Sequence, residues 1–238
     1  MIRDRLDIIL VKKGLAKTRS QAVRLIKNGR VKYENNVVYK AGLLVNIDSD
    51  IDVKKTKYVS FGGLKLEEAI NYFDINVNKK IALDVGASKG GFTQGLLNYG
   101  AKKVYALDIG EDIAPEIRNN PKVCYLGKTD IRNVSLEEKV DLVCVDVSFI
   151  SIKKVLRYVC DAVKTNGELL ILIKPQFEVT KEFRNSRGLV KLDKAKEVVE
   201  DIINYFKSYG LNIVGSMPTS IKGKAKNLEA FVYAKKQA

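Results

Sequence analysis

The chain has 238 residues, 46% of them hydrophobic, which is enough for one large domain or two smaller ones. Its best apolar run, 169–173, is only strand-length and excludes a bilayer span. The Met-Ile-Arg-Asp-Arg start leads into an amphipathic pattern instead of a signal peptide, so the expectation is a cytoplasmic protein without stable membrane association. The formal net charge is +14, and residues 1–57 hold 14 Lys/Arg against 6 Asp/Glu. A small basic segment ahead of a milder body points to a polyanion partner.

In the basic segment, Ile2, Leu6, Ile9 and Leu10 fall on one helical face, and Gly14 ends that helix. Thr18 opens a second helix with a capping box, in which Gln21 reaches back to the Thr18 backbone. Ala22, Leu25 and Ile26 form its buried side, and Asn28-Gly29 stops it. Short strands are predicted over 31–33, 37–39, 43–47 and 51–53. This α+β unit, 1–54, offers Arg3, Arg5, Lys17, Arg19, Arg24, Lys27 and Arg30 as candidate phosphate-backbone contacts. Such contacts supply affinity and orientation more than sequence choice. Residues 55–64 read as an interdomain linker, and the body runs from 65 to 238.

From about Lys79, apolar runs alternate with helical stretches, the signature of a mostly parallel sheet covered by helices. Strands are predicted over 80–85, 104–109, 122–126, 140–147, 168–174, 211–217 and 228–234, with a helix over 193–209. The turn after the first strand contains Gly86, Ala87, Ser88, Lys89, Gly90 and Gly91, followed by Phe92. Such a turn lets the backbone approach a ligand at a helix N-terminus. Asp84 precedes it. Asp108 with Ile109 ends the second strand, where a carboxylate can accept from ribose hydroxyls, and Asp130 with Ile131 follows the third, facing an adenine edge. The spacing Gly-x-x-x-Gly-Gly is not the dinucleotide fingerprint, and Asp146-Val147-Ser148-Phe149 ends the fourth strand. Of a nicotinamide and S-adenosyl-L-methionine, this pattern favours the second. Cys124, Cys144 and Cys160 lie far apart in apolar contexts and the chain has no His, so no metal centre is expected.

The stretch LVKKGLAKTRSQAVRLIKNGRVKYENN resembles the RNA-binding domain named after the fourth small-subunit ribosomal protein. Through YVSFGGLKLE, DVGASKGGFT, DVSFIS and KPQFEV, nearly the whole chain resembles the TlyA family of S-adenosylmethionine-dependent ribosomal RNA 2′-O-methyltransferases, often labelled hemolysins. The resemblance implies an S-four-type domain followed by an FtsJ-like class I (Rossmann-like) α/β methyltransferase domain with a mostly parallel seven-stranded sheet. It implies ribose methylation of cytidines in ribosomal RNA, with ribosomal subunits as partners. It also implies a catalytic tetrad of Lys65, Asp146, Lys174 and Glu229. Four departures stand out: Phe61 where the family commonly has Arg, Lys89 in place of Thr, Lys226-Asn227 in place of Gly-Asn, and a 110–118 segment without the usual Gln-Leu pattern.

Two ammonium groups beside two carboxylates can hold and polarise a poorly acidic alcohol without a histidine. Lys174 is expected to engage the 2′-hydroxyl, Asp146 and Glu229 to orient it, and Lys65 to complete the network. The 180–191 segment, with Arg184, Arg187 and Gly188, reads as a flexible basic loop that closes over RNA. Lys222, Lys224 and Lys226 offer further backbone contacts. Two other readings compete: a non-catalytic RNA-binding or ribosome-assembly factor on a methyltransferase scaffold, and a membrane-active hemolysin, which the lack of a long amphipathic helix opposes.

Overall fold

The computed structural model describes residues 2–27, 29–53, 57–221 and 227–237. The chain forms two compact units, Met1–Thr56 and Lys57–Ala238. The stop signal at Asn28 and the basic run at Lys222, Lys224 and Lys226 lie outside the described residues.

The first unit contains β1 (Arg3–Arg5), α1 (Leu6–Lys12), α2 (Arg19–Lys27), β2 (Val31–Tyr33), β3 (Asn36–Val37), β4 (Leu44–Asn46) and β5 (Ile51–Val53). β1 pairs antiparallel with β4, and β3-β2-β5 form a three-stranded sheet. The helix predicted from Ile2 therefore starts four residues late. Pairing with 44–46 satisfies the backbone of 3–5, and Ile2 stays exposed. Leu6, Ile9 and Leu10 do face the core, packed with Ala22, Ile26 and Val31. The capping box closes differently: Thr18 Oγ1 accepts from Gln21 N at 3.2 Å, while Gln21 Oε1 accepts from Lys17 N at 2.7 Å.

Asp7 is fully buried in α1 and takes Arg5 Nε at 3.0 Å and Nη2 at 3.1 Å, together with Arg19 Nε at 2.9 Å. The Arg5 guanidinium, and then that of Arg19, hold its carboxyl down at about 2 despite burial. Two of the seven cations assigned to RNA are thus partly engaged inside the unit. Arg3, Lys17, Arg24 and Lys27 are exposed.

The second unit opens with α3 (Phe61–Phe73) and continues β6 (Ile81–Val85), α4 (Gly91–Asn98), β7 (Lys103–Leu107), α5 (Pro115–Arg118), β8 (Val123–Leu126), β9 (Val140–Val145), α6 (Leu156–Ala162), β10 (Val163–Ile173), α7 (Pro175–Glu178), α8 (Leu192–Ser208), β11 (Leu211–Pro218) and β12 (Ala230–Lys236). Its seven-stranded sheet has the order β11-β12-β10-β9-β6-β7-β8, with β12 antiparallel to both neighbours and the other pairs parallel. The central strands bury apolar residues on both faces, under helices on each side, with Asp84 the buried exception. On α8, Ala195, Val198, Val199, Ile202 and Phe206 are buried at helical spacing. Each larger side chain contributes about 1.5–3 kcal/mol by leaving water.

The linker reading of 55–64 does not hold for its described part. Tyr58 is buried, Val59 N donates to Gln94 Oε1 at 2.7 Å, and α3 begins at Phe61. Gly62-Gly63 looks like a break because glycine disfavours helix. Here Gly62 faces Phe92 of α4, with an added Cβ 3.2 Å from its ring, and Gly63 makes room for Tyr58, while Gly91 on α4 lets the helices approach: a Cβ there would stand 2.8 Å from the Gly63 nitrogen.

Candidate active site

Sheet register gathers the expected catalytic residues. Ile173 pairs with Ala230, so Lys174 leaves β10 where Glu229 enters β12. In the parallel neighbour, Ile171 lies beside Val145, which places Asp146 and Ser148 along the same edge. Pro175 at the first position of α7 turns the chain sharply after Lys174. Lys174 Nζ lies 2.5 Å from Asp146 Oδ1 and donates to Ser148 Oγ at 2.9 Å. The contact with Asp146 is thus a close ion pair. From α3, Lys65 forms a buried ion pair with Glu229, and Gln176 Nε2 stands 3.5 Å from the other oxygen of that carboxylate. The four residues are therefore arranged as two ion pairs at neighbouring strand ends.

Three supporting residues go beyond the sequence expectations. Glu68 in α3 accepts from Thr219 Oγ1 and from Ser220 N at 2.9 Å, and Thr219 N donates to the Glu229 carbonyl at 3.0 Å, so α3 holds both Lys65 and the approach to Glu229. Ser148 and Gln176 lie inside motifs already singled out, but their partners depend on register, which the sequence does not display. Gln176 is 8% exposed, and its Oε1 has no partner among the described residues.

The α7 helix also grips the segment after β9. Glu178 accepts from Ser151 Oγ at 2.5 Å and Ile152 N at 2.8 Å, and the Phe177 and Phe149 ring centroids are 4.9 Å apart. Burial pushes the Glu178 carboxyl up. Phe149 is 90% exposed with φ +65°, a left-handed conformation that is costly for a bulky residue. The segment thus presents an aromatic face to solvent next to Ser148.

At the ends of β6 and β7, Gly86 takes φ +91°, and a Cβ there would lie 2.6 Å from the Asp146 carbonyl oxygen. Asp146 N in turn donates to the Val85 carbonyl at 2.9 Å. Asp108 accepts from Ser88 N and Gly110 N, both at 2.7 Å, tying the two loops together beside Ile109, which is 73% exposed. Ala87 packs with Ala106, Ile113 and Ile117, so the divergent 110–118 segment supplies apolar support under the glycine turn. Lys89 is exposed.

Three expected cofactor contacts are placed differently. Asp130 accepts from Arg132 N at 2.9 Å and is gripped by Arg132 Nε at 3.0 Å and Nη2 at 2.8 Å. The side-chain bond from Arg132 lowers its carboxyl. It caps a short 3-10 turn with its own neighbour as partner, instead of presenting a free edge. Ile131 and Phe92 are buried in the hydrophobic core, so their side chains back the site from within.

Asp84 is wholly buried; its Oδ2 accepts from Thr93 Oγ1 at 2.6 Å, and Oδ1 has no partner among the described residues. Burial pushes its carboxyl from 3.8 up to about 7, with Asp146 and Asp108 adding to the rise. Asp108 and Asp146 place carboxylates beside the glycine turn, an acidic setting that fits a cationic ligand, while buried Asp84 retains its proton to about 7. An unfolded Asp releases its proton near 4, whereas the folded one keeps it to about 7. The folded state therefore binds more protons across that window, and stability falls as pH rises through it, by on the order of 4 kcal/mol for this group alone. Asp84→Asn should remove that component. Urea unfolding of wild type and variant at pH 5 and pH 8 is expected to show the variant gaining relative stability at pH 8; equal differences at both pH values would sink the assignment.

Residues 58–236 match the FtsJ-like methyltransferase family, and residues 4–51 match the S4 domain. The chain is 34% identical over 244 residues to the 16S/23S rRNA (cytidine-2′-O)-methyltransferase TlyA of Mycobacterium tuberculosis, covering 99% of this chain and 91% of that protein. It is 35% identical to Hemolysin A of Brachyspira hyodysenteriae, covering 94% and 97%. A solved structure named as a hemolysin from Streptococcus thermophilus superposes with a TM-score of 0.77 at 32% identity, covering 100% of this chain and 90% of that one. Among the described residues, no helix is long and apolar enough to cross a membrane.

Proposed function

The chain belongs to the TlyA family, FtsJ-like methyltransferases with an S4 domain ahead, and from that premise we propose that it methylates the ribose 2′-oxygen of cytidine in ribosomal RNA, using S-adenosyl-L-methionine. The observation that carries this reading is the pair of ion pairs, Lys174–Asp146 and Lys65–Glu229, on adjacent strand ends beside a glycine turn. Bound at that turn, the cofactor supplies an electrophilic methyl group. The protein's work is to align the 2′-oxygen and help remove its proton.

Gly86 to Gly91, Asp108 and Ile109 would hold the adenosyl end, with the Asp146 carboxylate matching its positive charge and buried Asp84, tied to Thr93, backing the turn. Lys174, oriented by Asp146 and Ser148, donates to the 2′-oxygen and stabilises the negative charge that develops there. Glu229, fixed by Lys65, is the carboxylate placed to accept the proton. Burial of the Lys65–Glu229 pair keeps water from competing with the ribose. Phe149 offers an exposed ring against which a base pulled out of its stack can rest. Arg3, Lys17, Arg24 and Lys27 of the first unit supply phosphate contacts.

The test is to incubate the protein with ribosomal subunits from a strain lacking the gene, with radiolabelled methyl donor. Label in ribose 2′-O-methylcytidine is expected. No label on either subunit or on naked RNA, from protein that folds and binds RNA, would favour the non-catalytic RNA-binding role.

A further inference from the structure

The 184–190 loop is not the free basic flap that its composition suggests. Internally, Asn185 N donates to the Leu189 carbonyl at 3.0 Å, Gly188 N donates to the Asn185 carbonyl at 2.8 Å, and Asn185 Oδ1 accepts from Arg187 N at 2.9 Å and Leu189 N at 3.0 Å. Arg184 and Val190 form an antiparallel bridge across its base. Externally, one side chain among the described residues hydrogen-bonds to it. Asn227 is 7% exposed; its Oδ1 accepts from Val190 N at 2.9 Å and its Nδ2 donates to the Gly188 carbonyl at 3.1 Å. A single amide thus serves as the loop's missing strand neighbour, and both of its functions are committed to this loop.

Glu229 is two residues further on, about 7 Å along extended backbone. Its carbonyl is fixed by Thr219 N and its carboxylate by Lys65. The loop carries Arg187 exposed and Arg184 half-buried. We propose that Asn227 is a positioning residue that yokes the 184–190 loop to the Lys65–Glu229 pair, so that an RNA backbone held by the loop and a ribose held at the pair share one geometry. The inference rests on the RNA methyl-transfer reading above. Phosphate contacts set where the strand lies, and a displacement of about 1 Å at the reacting atoms costs on the order of a hundredfold in rate. A rigid link from phosphate contact to proton acceptor is therefore worth a buried amide.

The test is a double-mutant cycle of Asn227→Ala and Arg187→Ala, with Asn227→Asp as the conservative variant that keeps the acceptor for Val190 N. Hydrogen exchange at the Val190 amide should speed up by about tenfold or more in Asn227→Ala, because the donor loses its partner. In steady-state methylation, Arg187→Ala should raise the RNA KM and lower kcat. Asn227→Ala should raise KM and lower kcat, and the double variant should show no further rise in KM. Asn227→Asp should recover part of the KM loss. Additive KM effects, or a kcat loss in Asn227→Ala with RNA KM unchanged, would overturn the proposal. If Asn227→Ala does not fold, the cycle of Asn227→Asp with Arg187→Ala takes its place, and additivity of the KM effects again decides the matter. If the wild type transfers no methyl group, the functional reading falls separately, and the cycle read as RNA affinity at fixed salt decides the coupling: non-additive effects sustain it and additive effects overturn it.

Discussion

Replacing Lys174 by alanine is expected to lower kcat for ribose methylation by roughly 10²–10³-fold, the range over which a positioned donor to developing negative charge contributes. Binding of RNA and of the methyl donor should change little, because the lysine is held by Asp146 and Ser148 at the strand edge and supports no core packing. Lys174→Arg keeps the charge, but its planar guanidinium cannot occupy the same point between Asp146 and Ser148, so it should recover little activity. Single-turnover kinetics on wild-type and variant protein with saturating RNA separate chemistry from binding. A variant that loses RNA affinity while keeping the rate of the chemical step would remove Lys174 from the reacting centre.

Gly86→Ala is expected to abolish binding of the methyl donor and to destabilise the second unit by about 1–3 kcal/mol. Two effects act together. The φ of +91° is one that L side chains rarely adopt, and the new Cβ would lie 2.6 Å from the Asp146 carbonyl oxygen. That neighbour is backbone, held by Asp146 N bonding to Val85, and cannot swing aside as a side chain could. Relief requires the glycine turn to part from the end of β9, which disturbs the cofactor cradle and the placement of Asp146 at once. Calorimetric titration with S-adenosyl-L-methionine and a thermal melt measure the two effects. Wild-type affinity in the alanine variant would show that the turn relaxes freely. Gly188→Ala makes a useful contrast, since φ is +74° there but nothing lies within 4 Å of the added Cβ; it should show the backbone penalty without the clash.

Much of the second unit is legible because its strands are short apolar runs, which only a buried parallel sheet accommodates, and because α8 repeats its apolar residues every three or four positions. Predicted strand ends fall within two residues of those observed, apart from β10, which begins at Val163 instead of 168. The helix α3 is hidden in the sequence because Gly62-Gly63 carry a break signal locally, although in the fold they make room for Phe92 of α4 and for Tyr58. The strand β1 looks helical because Ile2 fits the helical stripe; pairing with 44–46, some forty residues away, outweighs that local pattern.

The sequence by itself marked the candidate residues: a lysine in each of two motifs and carboxylates at strand ends, through stretches that resemble the TlyA family, together with a glycine turn and a basic first segment. A motif and a local charge excess are legible because each depends on a residue and its near neighbours. Only the tertiary structure decided who partners whom. Lys65 meets Glu229 across 164 positions, Lys174 meets Ser148 as well as Asp146, Arg5 and Arg19 turn to Asp7, Asp130 is held by Arg132, and Asn227 holds the basic loop. The physical reason is that alternation tells which face a side chain takes, whereas its partner depends on the register between strands brought together from distant parts of the chain.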